Sequence, residues 1–278
     1  MKPLPYLFLL PAVLGFLLTV GAPLLLVGQL SLTRTNYVTS VFVGLSNFQE
    51  ALSDAAFLRT IFNSMLYVVA IVPVQIAGAV AIAFMVLDAP KRIRDAARFV
   101  FYVPSFAAGI VLAKTWRWMF SFDGIVNQGL KAAGIKPVLW LLGRGTGITA
   151  VSVAIIMATV GIYMIIVLGG MMAVPREVIE QARIDGASHG QVRARIILPM
   201  VAPTIALVST LGTLGVLQMW ETARYLTAGS PMGGTATMAM DIVSTGFEAG
   251  KHGLAAAKGV IMIAIVGALA LVKRRIEG

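Results

Sequence analysis

Uncharged, predominantly apolar runs occupy residues 6–32, 60–87, 145–175 and 196–220 of the 278-residue chain. Each is long enough for a helix to cross a hydrocarbon core of roughly 30 Å, which takes about 20 apolar residues. Two more spans are expected. Residues 99–120 carry Lys114 and Arg117 beside Trp116 and Trp118, the mixture found where a helix leaves the bilayer. Residues 253–272 form a last span provided that Lys258 snorkels towards an interface. The pattern predicts an all-α, polytopic membrane fold with six transmembrane helices, at about 6–32, 60–87, 99–120, 146–171, 197–220 and 253–272, in a single domain over residues 1–278. The first run exceeds a normal signal-peptide core and no small-residue cleavage site follows promptly, so it is expected to remain as an anchor.

Composition agrees with that pattern. Charged residues make up 12% of the chain and hydrophobic ones 58%, with a mean hydropathy of +0.89, whereas soluble domains carry about 25% charged residues. The absence of cysteine removes disulfides, thiolate catalysis and cysteine-based zinc sites. His189 and His252 fall in loops expected on opposite sides of the membrane, which excludes a Ser-His dyad and leaves little for a metal centre. A net charge of +10 points to lipid headgroups and topology rather than nucleic acid. Of 22 Lys and Arg, 12 lie in residues 1–5, 88–98, 172–195 and 273–278, which places these segments and both termini in the cytoplasm.

Between the fourth and fifth spans lies a long polar insert, "EQARIDGASHGQVRARIILP", residues 180–199. Pro175 suits a first helical position, and Glu177 and Glu180 follow where a helix N-terminus favours negative charge. Gly186 permits a sharp change of direction. Arg193 and Arg195 suit the end of a second helix, before Leu198-Pro199 returns the chain to the membrane. Two short helices bent near Gly186 are expected over residues 175–195.

The order Glu180-x-Ala182-x-x-Asp185-Gly186-Ala187, followed by Ile197-Leu198-Pro199, closely resembles the EAA loop of membrane (permease) subunits of bacterial ATP-binding-cassette importers. "FVGLSNFQEALSD", "FDGIVNQGLKAAGI" and "YLTAGSPMGGTATMAM" resemble the sugar-importing branch, of the maltose and glycerol-3-phosphate type. Gln181 stands where alanine is usual, and Gly229-Ser230-Pro231 where Gly-Gly-Pro is usual. The resemblance implies that the insert forms coupling helices that dock in a cleft of a separate ATPase subunit, with Glu180, Ala182, Asp185 and Gly186 as its coupling residues. It further implies a second permease subunit, an ATPase dimer that binds ATP and Mg, an extracytoplasmic solute-binding protein and a sugar-like substrate. The chain itself would hold no cofactor and catalyse no reaction, and it would reside in the cytoplasmic (inner) membrane.

Gln218, Trp220, Glu221 and Tyr225 form the richest polar stretch attached to a span. Aromatic faces can pack on the C–H faces of a sugar while amides and carboxylates take its hydroxyls. The same residues also suit the outer membrane interface. In maltose-type members of the family the corresponding stretch lines the substrate cavity. Gln75 and Tyr163 are polar mid-span residues, fit either for that pathway or for bonding helix to helix. An ion-coupled secondary carrier is the alternative mechanism, and it needs ionisable groups at mid-membrane. None lies in the charge-free runs.

The topology is directly testable, because the chain has no native cysteine. Single cysteines at Ser46 and Ser188 should report opposite faces, with an impermeant thiol reagent labelling Ser46→Cys, but not Ser188→Cys, in intact cells. The reverse pattern would invert the orientation.

Overall fold

A helix that is apolar on every side belongs either in lipid or in the middle of a bundle, and both extremes are present. The computed structural model describes residues 4–35, 39–106, 109–229 and 233–277. The helical span Leu9–Ser31 has none of its apolar stretch buried, whereas half of that of Arg144–Met172 is buried. Ala55–Leu87 and His252–Lys273 are also long and apolar enough to cross a bilayer.

The expected spans 99–120 and 197–220 are not straight helices. The helical stretch Lys91–Phe106 and the helix Gly109–Met119 are inclined by 97°, and His189–Met200 meets Ala202–Leu217 at 64°. Proline accounts for the second break. Pro199 and Pro203 flank Val201, each lacking the N–H that a continuous helix would use. Pro104 likewise lies in a tight 3-10 turn, Val103–Phe106, at the end of the first arm. Among the described residues, four helices can therefore span singly, and six spans result only if each bent pair counts as one.

The chain divides into two compact units. The first comprises Met1–Leu58 and Met238–Leu269. It departs locally from the all-α expectation, because strands β1 (Thr33–Thr35) and β2 (Ser40–Phe42) pair antiparallel, Thr33 with Phe42 and Thr35 with Ser40. β-branched threonine and valine favour such a pairing. Buried Asn47 ties this hairpin down by donating from Nδ2 to the carbonyls of Ser31 and Thr33, at 2.9 and 2.8 Å.

Lys258 in this unit does not snorkel. Its side chain is 3% exposed, and Nζ lies 2.6 Å from Asp241 Oδ2, 3.4 Å from Asp54 Oδ2 and 3.1 Å from Thr245 Oγ1. The ring of Phe57 lies beneath it. A buried ammonium persists only when paired and hydrogen-bonded in this way, and its partners lie too far off in sequence for hydropathy to reveal them.

The second unit, Arg59–Thr237 with Ala270–Gly278, is organised around Arg144–Met172. Ala150, Ala154 and Ala158 are buried on one stripe of that helix, and small residues let helix backbones approach closely in membranes. Gly161 continues the stripe, and a Cβ there would sit 1.8 Å from the Phe101 carbonyl oxygen. Two buried asparagines secure the irregular segments. Asn63 donates to the carbonyls of Gly233 and Ala236. Asn127 donates to Ser121 and Val138 and accepts from Val138 N–H and Trp140 Nε1.

Lys258→Met should leave the half-buried Asp241 without its counter-charge. Breaking a buried pair costs about 3–5 kcal/mol, and the low end applies because Asp54 is 37% exposed. Thermal unfolding in detergent should show a clear loss of stability, partly recovered in Lys258→Met/Asp241→Asn. Identical melting of Lys258→Met and wild type would remove the pair from any role in stability.

Candidate functional site

Two groups of residues were singled out by sequence, and the structure treats them differently. In the polar insert, Arg176–Ile184 forms a helix whose N-cap is Pro175, one position earlier than expected for that proline. Arg176 becomes the first helical residue. The helix closes in a Schellman arrangement, with Gly186 N–H donating to Arg183 O at 3.0 Å and Ala187 N–H to Ala182 O at 2.9 Å. Gly186 has φ +85°, the left-handed conformation that glycine adopts without a Cβ penalty. A Cβ at Gly186 would meet open space, so the demand for glycine here is conformational and not steric. Ala182 and Ala187 pack on the apolar cluster that includes Val167, Leu168 and Met171.

Ser188 then starts the second helix through a capping box, its N–H donating to Gln191 Oε1 at 2.8 Å and its Oγ accepting from Gln191 N–H. The Ser-x-x-Gln spacing is a sequence signature of a helix start, although it did not figure among the expectations. The bend at Gly186 is thus framed by a helix stop and a helix start. The second helix does not end at Arg195, however. It runs through a wide π turn, Arg193–Ile197, into Leu198–Met200, because no helix-breaking residue intervenes before Pro199.

Glu180, Asp185 and Gly186 are exposed, and Ala182 is half-buried. Gln181 Nε2 donates to Asp185 Oδ1 at 3.3 Å. Ile184, absent from the sequence expectations, and Arg193, expected only as a helix-end charge, complete the segment. Ile184 is 79% exposed beside the bend, an apolar side chain set among charges. Arg193 pairs with Asp88 at 2.6 Å and lies over the Phe84 ring, joining the insert to the end of the Ala55–Leu87 helix. No local sequence signal links partners 105 positions apart.

The second group is only partly brought together. Gln218, Trp220 and Glu221 line a shallow cavity of about 280 Å³ with Ile155, Gly215 and Thr222. They sit where helix Ala202–Leu217 gives way to helix Glu221–Thr227. The Glu221 carboxylate lies against Gly109, where any Cβ would be 2.1 Å from Oε2. Tyr225 flanks this cavity without lining it, its ring 6.3 Å from that of Trp220 and its carbonyl accepting from Arg117 at 3.4 Å.

Gln75 and Tyr163 do not line this cavity, although the Tyr163 hydroxyl neighbours Gly215, which does. Buried Gln75 donates to Thr159 Oγ1, a helix-to-helix bond, and both Gln75 Oε1 and the Tyr163 hydroxyl flank Gly212. The chain beyond Thr227 is stitched down by Asn63 and by Tyr67, whose hydroxyl donates to Thr235 O at 3.1 Å. Neither residue figured in the expectations. Ser230 and Pro231 of the Gly-Ser-Pro triplet lie outside the described residues.

Known proteins share both sequence and architecture with this chain. It is 29% identical over 276 residues to a probable starch degradation products transport system permease of Thermoanaerobacterium thermosulfurigenes, covering 96% of this chain and 91% of that one. It is 27% identical over 267 residues to a trehalose/maltose transport system permease of Thermococcus litoralis, covering 95% and 90%. A crystal structure of a bacterial alginate ABC transporter, in complex with an alginate pentasaccharide-bound periplasmic protein, contains a chain of the same fold. The two superpose with a TM-score of 0.84 at 22% identity, over 99% of this chain and 95% of that one. The model of one family matches residues 51–277, a region that includes the Gly186 segment and the Glu221 cavity. The chain therefore belongs to the binding-protein-dependent transport system inner membrane component family.

Proposed function

We propose that this multi-pass membrane protein is a permease subunit of an ATP-binding-cassette importer for a sugar or related polyhydroxylated compound. The observation that carries the reading is the rigidly capped helix–Gly186–helix segment within the region matched by the family. The names of the relatives, which refer to starch degradation products and trehalose/maltose, support the sugar class. In this reading residues 1–278 form one transmembrane domain with six spans and cytoplasmic termini. It pairs with a second permease subunit and receives solute from an extracytoplasmic binding protein.

Rigid short helices transmit a rigid-body movement that an irregular loop would absorb. The exposed Ile184, Glu180 and Asp185 form the face that a partner ATPase grips. ATP and Mg act in that partner, and its closure changes which side of the membrane the solute cavity faces. Gln218 and Glu221 take hydroxyls, and Trp220 supplies the apolar face. An ion-coupled carrier is not favoured, because the family depends on a binding protein and buried Lys258 is already neutralised by Asp241 and Asp54.

Two experiments bear on this reading. Gly186→Leu forces a branched side chain into a left-handed position at a cost of about 1–2 kcal/mol, and Ile184→Asp changes the outward face without that strain. Both variants should insert and pair with the second permease, yet lose the ATPase on purification or fail to stimulate it when loaded binding protein is added. Transport at the wild-type rate with the ATPase fully retained in both would reduce the segment to a connector. Separately, uptake should collapse on ATP depletion. Persistent uptake by this chain alone in ATP-depleted cells would replace the importer with a carrier.

A further inference from the structure

A cavity of about 260 Å³ lies between the polar insert and the ends of the helices Ala55–Leu87 and Arg144–Met172, and nothing in the coupling or solute-pathway reading uses it. Its charged lining is one-sided, with Arg94, Arg176, Arg183 and Arg193 against the single acid Asp88. Asp88 is already engaged by Arg193 at 2.6 Å. Arg94, Arg176 and Arg183 have no ion-pair partner among the described residues, and the Nε atoms of Arg94 and Arg193 are buried without an acceptor. Buried donors left unpaired cost about 1–3 kcal/mol each, and more when charged. Arg94 and Arg176 also lie in the first turns of helices Lys91–Tyr102 and Arg176–Ile184, where the helix dipole adds positive potential. This set of donors suits an anion that brings several oxygen acceptors.

The apolar part of the lining shows where that anion comes from. Leu87 and Met172 are the last residues of the spans Ala55–Leu87 and Arg144–Met172, and Ile197 precedes the helix Ala202–Leu217. The lining thus joins the ends of apolar spans to the polar insert, so that arginines and apolar side chains share one cavity. That mixture suits an anion with an apolar tail. We propose that this cavity binds the phosphate headgroup of an anionic phospholipid from the adjoining leaflet, with Arg94, Arg176 and Arg183 as its principal ligands. The phosphodiester oxygens accept from the unpaired Arg94 Nε–H and from the guanidinium groups of Arg176 and Arg183, and the first acyl carbons rest on Leu87 and Met172. The site goes beyond the importer reading and does not depend on the sugar class.

The test uses the full-length chain in detergent, equilibrated with equal amounts of phosphatidylglycerol and phosphatidylcholine, with retained lipid read by native mass spectrometry. Phosphatidylglycerol should be retained selectively. A basic residue near an anionic surface is worth about 1 kcal/mol, so each arginine replaced in Arg94→Gln, Arg176→Gln or Arg183→Gln should weaken the preference roughly fivefold. Arg183→Lys, which keeps the charge, should hold much of it, separating lipid binding from loss of fold. Arg92→Gln, an exposed position outside the cavity, should change nothing. Equal retention of both lipids, or a preference reduced as much by Arg92→Gln as by Arg94→Gln, would overturn the site. Displacement of the lipid by millimolar inorganic phosphate would assign the cavity to a soluble anion instead. Loss of lipid selectivity when an ATPase partner binds would assign the arginines to that protein's acidic side chains. Each of these failures leaves the coupling experiments with Gly186 and Ile184 unaffected.

Discussion

Backbone groups removed from water must find partners within the protein, and irregular chain near a membrane is where that is hardest. Helices satisfy their own interior. The segments between them need donors from elsewhere, and three buried asparagines supply them. Asn47, Asn63 and Asn127 each direct a side-chain amide at two backbone carbonyls, in the β hairpin, the segment after Thr227 and the loop from Ser121 to Val138 respectively. An unpaired amide in such a place would cost about 2–7 kcal/mol, depending on the reference state. The placement of the Trp220–Glu221 turn depends on this economy, since the chain leaving it is fixed by Asn63 and Tyr67.

The sequence makes some of this legible and hides the rest for physical reasons. Long apolar runs reveal helices because about 20 such residues have few other stable homes. The same averaging is blind to direction, so it cannot foresee that Lys91–Phe106 and Gly109–Met119 diverge by 97°. Gly186 could be read because a helix stop needs a left-handed residue, and glycine adopts that conformation most readily. Pairs such as Arg193 with Asp88, or Lys258 with Asp54, could not, since their members are far apart in the chain and each reads alone as a surface charge. Of six residues with plausible solute chemistry, Gln75 and Tyr163 already read as fit for bonding helix to helix. Among the described residues Gln218, Trp220 and Glu221 line one cavity, whereas Gln75 and the Tyr163 hydroxyl flank Gly212.

The polar insert holds exposed residues and cavity-lining ones side by side: Ile184, Glu180 and Asp185 are exposed, and Arg176, Arg183 and Arg193 line the cavity. If both proposals hold, one helix of the insert carries the grip for a partner and ligands for a headgroup, and the anionic lipid content of the bilayer then becomes a variable of coupling strength.

The Lys258 cluster bears on how the protein is made. An ammonium in a hydrophobic segment weakens the case for that segment to leave the translocation machinery sideways into lipid. Both carboxylates that neutralise it, Asp54 and Asp241, precede Lys258 in the chain and are therefore synthesised before it. The segment that carries Lys258 can thus draw its counter-charge from residues made earlier, which makes the order of synthesis, beside hydropathy, relevant to its insertion.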